Sequence, residues 1–314
     1  MTERIARFNE LTPSTLPFVE GRIEGHKERK NYSIVGPGVA EDSQQSVKIS
    51  KPHGYNLGAV SANPKNGSGL HSHTTAEVFL IYSGSWRFYW GADGTNEIIL
   101  SKGDIISMPT NMFRGFENAG DEEGLIFVVL GNDDPGIITW VPNVLIKAKE
   151  TGLALLDDNS LIDLKENEIP PNRKLLEPIS NETLLKFDNY RIDEIEKFIC
   201  RFKNQTNHEI NLNNGIKLIQ IIGSGFSNKN YNAIIDHDTG FNLSILKGKQ
   251  GLIEDLVFDK PTILFSQKGN WKVKIEKNEF NINSKDTFSL PLNTKVSVSI
   301  DNNEDCFLNC VSKA

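Results

Sequence analysis

Cysteine is scarce in this sequence, with three residues among 314: Cys200, Cys306 and Cys310. Their spacing makes no C-x-x-C pair and no even-numbered disulfide framework. Cys306 and Cys310 fall on one face of a predicted strand, too far apart along it to bridge readily. We therefore expect three reduced, buried thiols.

Several other features are absent, and each absence excludes a class of protein. No run of about eighteen apolar residues could span a membrane, and the first eight residues lack the apolar core of a signal peptide. The net charge of −7 and the pI of about 5.5 give no electrostatic footprint for nucleic acid. No P-loop, G-x-G-x-x-G or Ser-His-Asp signature occurs. The expectation is a soluble, cytoplasmic protein without nucleic-acid or membrane partners.

Short apolar or alternating runs separated by Gly, Asn and Asp dominate both halves of the chain, for example 85–90, 97–100, 125–130, 272–275 and 296–300. This rhythm is typical of an all-β sandwich or barrel. Two segments differ, because 142–156 is compatible with a short helix and 191–202 carries isoleucines at helical spacing. The acidic segment between them closes with two prolines and is interpreted as a linker.

The second half of the sequence repeats the first. Four segments recur in the same order at a nearly constant offset: 33–38 with 220–225, 53–57 with 239–243, 79–86 with 264–271, and 104–109 with 286–291. Chance similarity between strands would not preserve that order, so the pattern predicts duplication of one fold unit. We expect a first unit over 1–150, a linker over 151–190 and a second unit over 191–314.

The chemistry-bearing residues are concentrated in segment 69–84. His71 and His73 are separated by one residue, so on an extended strand their imidazoles point the same way. Glu77 follows before an apolar run that ends at Gly84, and can supply a third ligand from the next strand or bend. Two histidines and one carboxylate form the facial triad that leaves coordination positions open on iron. The pattern predicts a metal site of His71, His73 and Glu77.

The spacing H-x-H-x3-E-x6-G resembles the first sequence motif of the cupin superfamily. A second stretch resembles the second cupin motif, with Gly103 and Asp104 at its start, Pro109 after the strand and Asn118 at its close. The resemblance implies an all-β fold of two cupin (jelly-roll) barrels with a few short helices, that is, a bicupin.

The second barrel lacks the ligands of the first. Carrying the register back from the matching tryptophans places Leu256, Phe258 and Thr262 opposite the metal-site residues, and Val296 opposite Arg114. Such mostly apolar residues would fill a small barrel as packed core. The resemblance therefore implies a degenerate second cupin barrel.

The first barrel also departs from the family, since Arg114 stands where a third metal-binding histidine is usual. Asn111 replaces a glycine, a milder change because Asn tolerates positive φ, whereas arginine stays protonated and cannot ligate a metal. Three roles for Arg114 remain open. It could hold a substrate carboxylate or enolate in bidentate fashion, pair with Glu77 and leave a metal-free barrel, or point outward to a loop acid such as Glu117.

The resemblance implies a metal-dependent cupin enzyme, and we expect a dioxygenase acting on a small anionic or aromatic organic substrate. Fe2+ is the first candidate metal, with Mn2+, Ni2+ or Zn2+ as alternatives, and Arg114 is the candidate catalytic residue. A homo-oligomer, in its simplest form a dimer, is also expected. The alternative is a non-catalytic cupin that binds a small ligand.

Overall fold

The computed structural model describes residues 4–41, 45–212 and 215–314, and strands make up most of its regular structure. The strands, in chain order, are β1 (Ile5–Ala6), β2 (Arg29–Val35), β3 (Val47–Ile49), β4 (Tyr55–Ala62), β5 (Gly67–Ser72), β6 (Glu77–Ser83), β7 (Ser85–Trp90), β8 (Asn96–Ser101), β9 (Ile105–Met108), β10 (Arg114–Asn118), β11 (Gly124–Gly131), β12 (Thr139–Trp140), β13 (Leu153–Leu155), β14 (Leu161–Asp163), β15 (Ile199–Cys200), β16 (Ile210–Asn211), β17 (Ile216–Ile222), β18 (Gly225–Phe226), β19 (Lys229–Asn230), β20 (Phe241–Leu256), β21 (Thr262–Lys268), β22 (Trp271–Ile275), β23 (Asn278–Ile282), β24 (Thr287–Ser289) and β25 (Val296–Lys313). The α-helices are α1 (Pro142–Thr151), α2 (Asn181–Leu184), α3 (Ile192–Ile195) and α4 (Phe202–Gln205), with 3-10 turns at Phe8–Glu10, Glu196–Phe198 and Thr206–His208. The predicted all-β fold of two barrels is confirmed.

The first barrel is built from two sheets. One has the strand order β15-β9-β6-β11-β4-β2-β3, and the other the order β12-β5-β10-β7-β8. Residues of one face of each strand fill the interior, because side chains alternate along a strand. Trp86, Phe88 and Trp90 on β7 are fully buried in this interior, as their period-two spacing predicts.

The second barrel is one curled sheet in the order β1-β24-β21-β25-β20-β17-β16, with β22 paired to β25 and β23 paired to β22. Its two longest strands, β20 and β25, run side by side with register shifts between Gly248 and Gln250 and between Ile253 and Leu256. Such irregularities bend a sheet and increase its twist. The bends allow β20 and β25 to continue from one wall of the barrel into the opposite wall.

The two barrels exchange edge strands. The N-terminal strand β1 pairs with β24 of the second barrel, and β15, which follows the middle segment, pairs with β9 of the first. A single buried apolar cluster also joins the barrels, with the Phe127 and Phe265 rings 5.0 Å apart. The division at 1–150, 151–190 and 191–314 remains our proposal, and the exchange predicts that neither barrel is independent of the other.

One turn shows the duplication in atomic detail. Gly36 and Gly223 both have positive φ, of 69° and 65°, and a Cβ at either would overlap the side-chain oxygen of Asn56 or Asn242. That oxygen accepts a 3.1 Å hydrogen bond from the backbone NH two residues after the glycine, in both barrels. The same Gly–Asn clamp thus closes the equivalent turn twice, which supports the duplication that the sequence predicts.

Segment 138–155 forms a cap over one end of the first barrel. Helix α1 begins with Pro142 at its first turn and ends at Thr151, because Gly152 adopts the left-handed conformation, φ 91°, and the chain continues as β13. Segment 142–156 thus holds a short helix, as predicted, and the left-handed Gly152 sets its end. Trp140 and Val144 of this cap are buried against the first barrel. No helix in the described ranges is long and apolar enough to cross a bilayer.

Candidate metal centre

The three predicted ligands meet inside the first barrel. His71 lies near the end of β5, His73 follows in the turn, and Glu77 is the first residue of β6. One ligand atom from each lies within 4.8 Å of the other two, and all three residues are buried. The strand–turn–strand geometry therefore brings the predicted set together as a group able to hold a divalent metal ion.

Backbone carbonyls fix the protonation of both imidazoles. Nδ1 of His71 lies 2.9 Å from the Gly69 oxygen, and Nδ1 of His73 lies 3.0 Å from the Thr75 oxygen. A carbonyl oxygen only accepts hydrogen bonds, so each Nδ1 carries the proton and each Nε2 keeps its lone pair. This is the arrangement that orients histidine ligands in metal sites.

The electrostatics of the cluster keep the histidines neutral and the glutamate charged. Burial and then the nearby Arg114 cation lower the pKa of His71 to about 4, and the same two causes lower the pKa of His73. Burial alone would raise the pKa of Glu77, but the attraction of His73 and Arg114 lowers it to about 2. Neutral imidazoles and an ionised carboxylate are the forms that metals bind.

Arg114 points into the barrel and contacts two of the ligands. Its Nη2 lies 2.5 Å from Nε2 of His73, and both Nη2 and Nε lie 3.2 Å from Oε2 of Glu77. Its Nη1 donates to the Met112 oxygen at 3.2 Å. The guanidinium thus places positive charge between a lone pair and a carboxylate that are themselves 3.2 Å apart. An outward Arg114 paired with Glu117 is wrong.

The donor set fits a divalent metal, and Arg114 competes with it. Two Nε2 lone pairs and one carboxylate suit Zn2+, Fe2+ or Mn2+, and Nε2 of His71 makes no hydrogen bond with any described residue. A metal about 2.1 Å from Nε2 of His73 would require the Arg114 Nη2 to move away. Metal binding and the Arg114 contacts with His73 and Glu77 therefore exclude each other.

A cavity of about 80 Å³ lies beside the cluster inside the first barrel. His71 and Glu77 border it, Phe79 and Phe116 form apolar wall, and Arg29 adds a charged group. A cavity of this volume admits a small organic molecule. The cavity gives the candidate metal centre a place for a ligand.

Glu20 and Arg29 lie directly behind the candidate site, although no motif in the sequence pointed to them. Glu20 is fully buried and accepts hydrogen bonds from Arg29 Nη1 at 2.8 Å, Ser68 Oγ at 3.0 Å and the Gly69 NH at 2.7 Å. Ser68 Oγ in turn lies 3.3 Å from Nδ1 of His71. A buried ion pair thus supports the first ligand from behind. Glu20 and Arg29 form no recognisable sequence motif with the residues that they contact, because Ser68 and Gly69 are distant from them in the sequence.

No such cluster occurs among the described residues of the second barrel, and the predicted register is confirmed. Leu256 pairs with Val296 across the sheet, as His71 pairs with Arg114 in the first barrel. Leu256, Val296 and Phe258 are buried in the apolar core, and Thr262 is buried beside them. The duplicate replaced ligands with packed side chains.

Comparison with known proteins agrees with this architecture. Residues 59–130 match the cupin domain family model, and no curated protein matches the chain significantly. Oxalate decarboxylase from Bacillus subtilis has 12% identity and a TM-score of 0.57, with 100% of this chain and 76% of that chain covered. A formate complex of Lactobacillus farciminis oxalate decarboxylase has 14% identity and a TM-score of 0.58, with 99% and 86% covered. Residues 59–130 are thus similar to the cupin domain, and the likeness to the decarboxylase structures shows that the chain shares their two-barrel fold.

Proposed function

We propose that the first barrel is a metal-dependent enzyme site for a small organic anion, with Fe2+ held by His71, His73 and Glu77. The observation that carries the proposal is the convergence of two Nε2 lone pairs and one carboxylate beside an internal cavity. When bound, Fe2+ would supply oxygen chemistry, which makes a dioxygenase the reaction class that we infer. Loss of the usual fourth ligand to Arg114 favours this class, because the facial triad has three protein ligands.

The protein's own groups have distinct tasks in this proposal. The Gly69 and Thr75 carbonyls hold the imidazoles in the ligating tautomer. Phe79 and Phe116 exclude water from the cavity, which strengthens electrostatic contacts with a bound anion. Arg114 is the catalytic candidate, since its guanidinium stands at the ligand cluster and would offset negative charge there.

The second candidate is a metal-free barrel that binds a small ligand without chemistry. The 2.5 Å contact between Arg114 Nη2 and His73 Nε2 favours it, because the guanidinium already supplies the positive charge that Glu77 needs. Both candidates use the same cavity. They differ in the cation that occupies the cluster.

Metal analysis of protein purified without an affinity tag separates the two. We expect about one equivalent of metal in the wild type and a loss of most of it in His71→Ala and His73→Ala, with β-type circular dichroism retained. His208→Ala is the control, because His208 is exposed and remote from the cluster. Oxygen uptake would then be followed with small carboxylic acids as substrates.

Equal metal content in the wild type and both ligand variants would contradict the assignment of His71 and His73. A metal-free wild type that binds small acids would support the second candidate. Metal loading without oxygen uptake, but with turnover of an acid, would retain the metal enzyme and exclude the dioxygenase.

A further inference from the structure

Arg29 is buried in the wall of the first barrel, and three of its five N–H donors have no hydrogen-bond partner among the described residues. Its Nη1 donates to Glu20 and to the Gly67 oxygen, both at 2.8 Å. Its Nε and Nη2 are buried and have no hydrogen-bond partner among the described residues. A buried donor without a partner is costly, and such groups are rare in native proteins. The unpaired N–H groups on these two nitrogens therefore indicate a ligand.

The free groups form one edge of the guanidinium. The Nε hydrogen and one of the two Nη2 hydrogens of arginine point the same way and match the two oxygens of a carboxylate, giving a bidentate contact. The Phe18 ring covers one face of this guanidinium, with its centroid 5.0 Å from Cζ. Phe18 and Glu20 together hold Arg29, so its free edge is preorganised.

Asn31 supplies a second unused group on the same wall. Its Oδ1 is buried and also lacks a partner among the described residues. Arg29 and Asn31 are two residues apart on β2, so their side chains leave the same face, opposite Ala62 and Val60 of β4. Both line the cavity that His71 borders. A free double donor and a free acceptor thus lie side by side on the wall of one cavity.

We propose that the Nε–Nη2 edge of Arg29 binds the carboxylate of a small hydroxy or amino acid, and that Asn31 Oδ1 accepts a hydrogen bond from its hydroxyl or amino group. The cavity of about 80 Å³ limits the ligand to few atoms beyond this pair of groups. In the arrangement that the structure shows, Glu77, His73 and Met112 engage the donors of Arg114, so Arg29 is the arginine with a free edge for a carboxylate. The inference rests on the proposed function only in taking the bound acid to be the substrate.

The test uses glycolate, which carries a carboxylate and a hydroxyl, and acetate, which lacks the hydroxyl. Binding of each is measured by calorimetry on the whole protein at low salt, after chelation and after metal loading. The variant Glu20→Gln/Arg29→Met removes both charges, so that no buried carboxylate is left unpaired. Arg87→Met is the matched control, since Arg87 is a half-exposed arginine whose partners are Glu97 and Glu117.

We expect the wild type to bind glycolate more tightly than acetate, and the double variant to lose at least tenfold in glycolate affinity, about 1.4 kcal/mol. Asn31→Ala should remove the preference for glycolate while retaining acetate binding. Arg87→Met should match the wild type. Circular dichroism of each variant verifies folding. If the double variant does not fold, Asn31→Ala, which changes no charge, still tests the predicted preference for glycolate.

Two results would overturn the inference: no glycolate binding by the wild type at about 10 mM, near the weakest affinity worth assigning to a specific site, or wild-type affinity in a folded double variant. Measuring binding both after chelation and after metal loading separates this inference from the proposed function. Glycolate binding that depends on Arg29 in a protein that takes up no metal would retain the inference and reject the metal enzyme. If the Glu20→Gln/Arg29→Met variant instead loads metal and turns over substrate as the wild type does, the metal enzyme is retained and the inference about Arg29 is rejected.

Discussion

Replacing Arg114 by methionine tests the buried ion pair at the centre of the first barrel. Glu77 and Arg114 are 4% and 1% exposed. Methionine would leave the Glu77 carboxylate buried without its cation, at a cost of about 3–5 kcal/mol. With ~2 °C of melting temperature per kcal/mol for a chain of this size, we expect Arg114→Met to melt roughly 6–10 °C below the wild type in chelator.

Two further measurements identify the cause. The double variant Glu77→Gln/Arg114→Met removes both charges of this buried pair and should recover most of the loss, because neutral replacements of a buried pair are often tolerated. Metal is then added to both proteins at one concentration, about one hundred times its dissociation constant from Arg114→Met. This should return ~2.7 kcal/mol of stability to Arg114→Met. The wild type should gain less, because metal must first displace the guanidinium from His73 and Glu77.

The assay is thermal unfolding followed by circular dichroism, with urea titration as an independent measure. An Arg114→Met protein that melts within about 2 °C of the wild type in chelator would show that Glu77 does not depend on this cation, since one kcal/mol already shifts melting by that amount. Equal metal stabilisation of both proteins would refute the competition between metal and Arg114.

Two other predictions concern stability. In urea unfolding, Phe258→Asp in the second barrel should lower the free energy of unfolding by at least ~4 kcal/mol, because packing is lost and an unpaired charge is buried. Leu252→Asp is the control, since Leu252 is 37% exposed. Equal destabilisation by both variants would show that the predicted register is wrong. Burial raises the pKa of Glu41 from 4.5 to about 7, against hydrogen bonds from Trp140 and Val19. Its contribution to stability is therefore complete below pH 4.5 and is lost as pH rises through 7, by about 3 kcal/mol. Glu41→Gln should abolish this part of the pH profile, and an unchanged profile would contradict the raised pKa.

The ligand positions were predictable because their geometry is local. His71 and His73 share a strand face by the two-residue alternation of extended backbone, and Glu77 is one short turn away. The duplicate positions Leu256 and Val296 followed from a constant offset, and their cross-strand pairing confirms it. Such inferences need only the backbone period and the order of strands.

The direction of Arg114 could not be predicted. Inward and outward orientations differ only in which carboxylate the guanidinium meets, and the sequence offers both Glu77 and Glu117. The structure decides for Glu77, since Arg87 of the neighbouring strand engages Glu117 and Trp90 pairs opposite Arg114 in the register. The choice depends on neighbours that are distant in sequence.

The sequence by itself determined the all-β class, the duplication and the metal-ligand candidates. The class and the ligands follow from spacings of a few residues, and the duplication follows from four segments that recur in the same order. Only the tertiary structure decided that Glu20 and Arg29 stand behind His71, that β1 and β15 are exchanged between barrels, and that Arg114 competes with a metal. These features depend on which distant strands meet and on burial, which makes an unpaired charge or donor costly. Local spacing does not encode that proximity; packing of the closed barrel creates it.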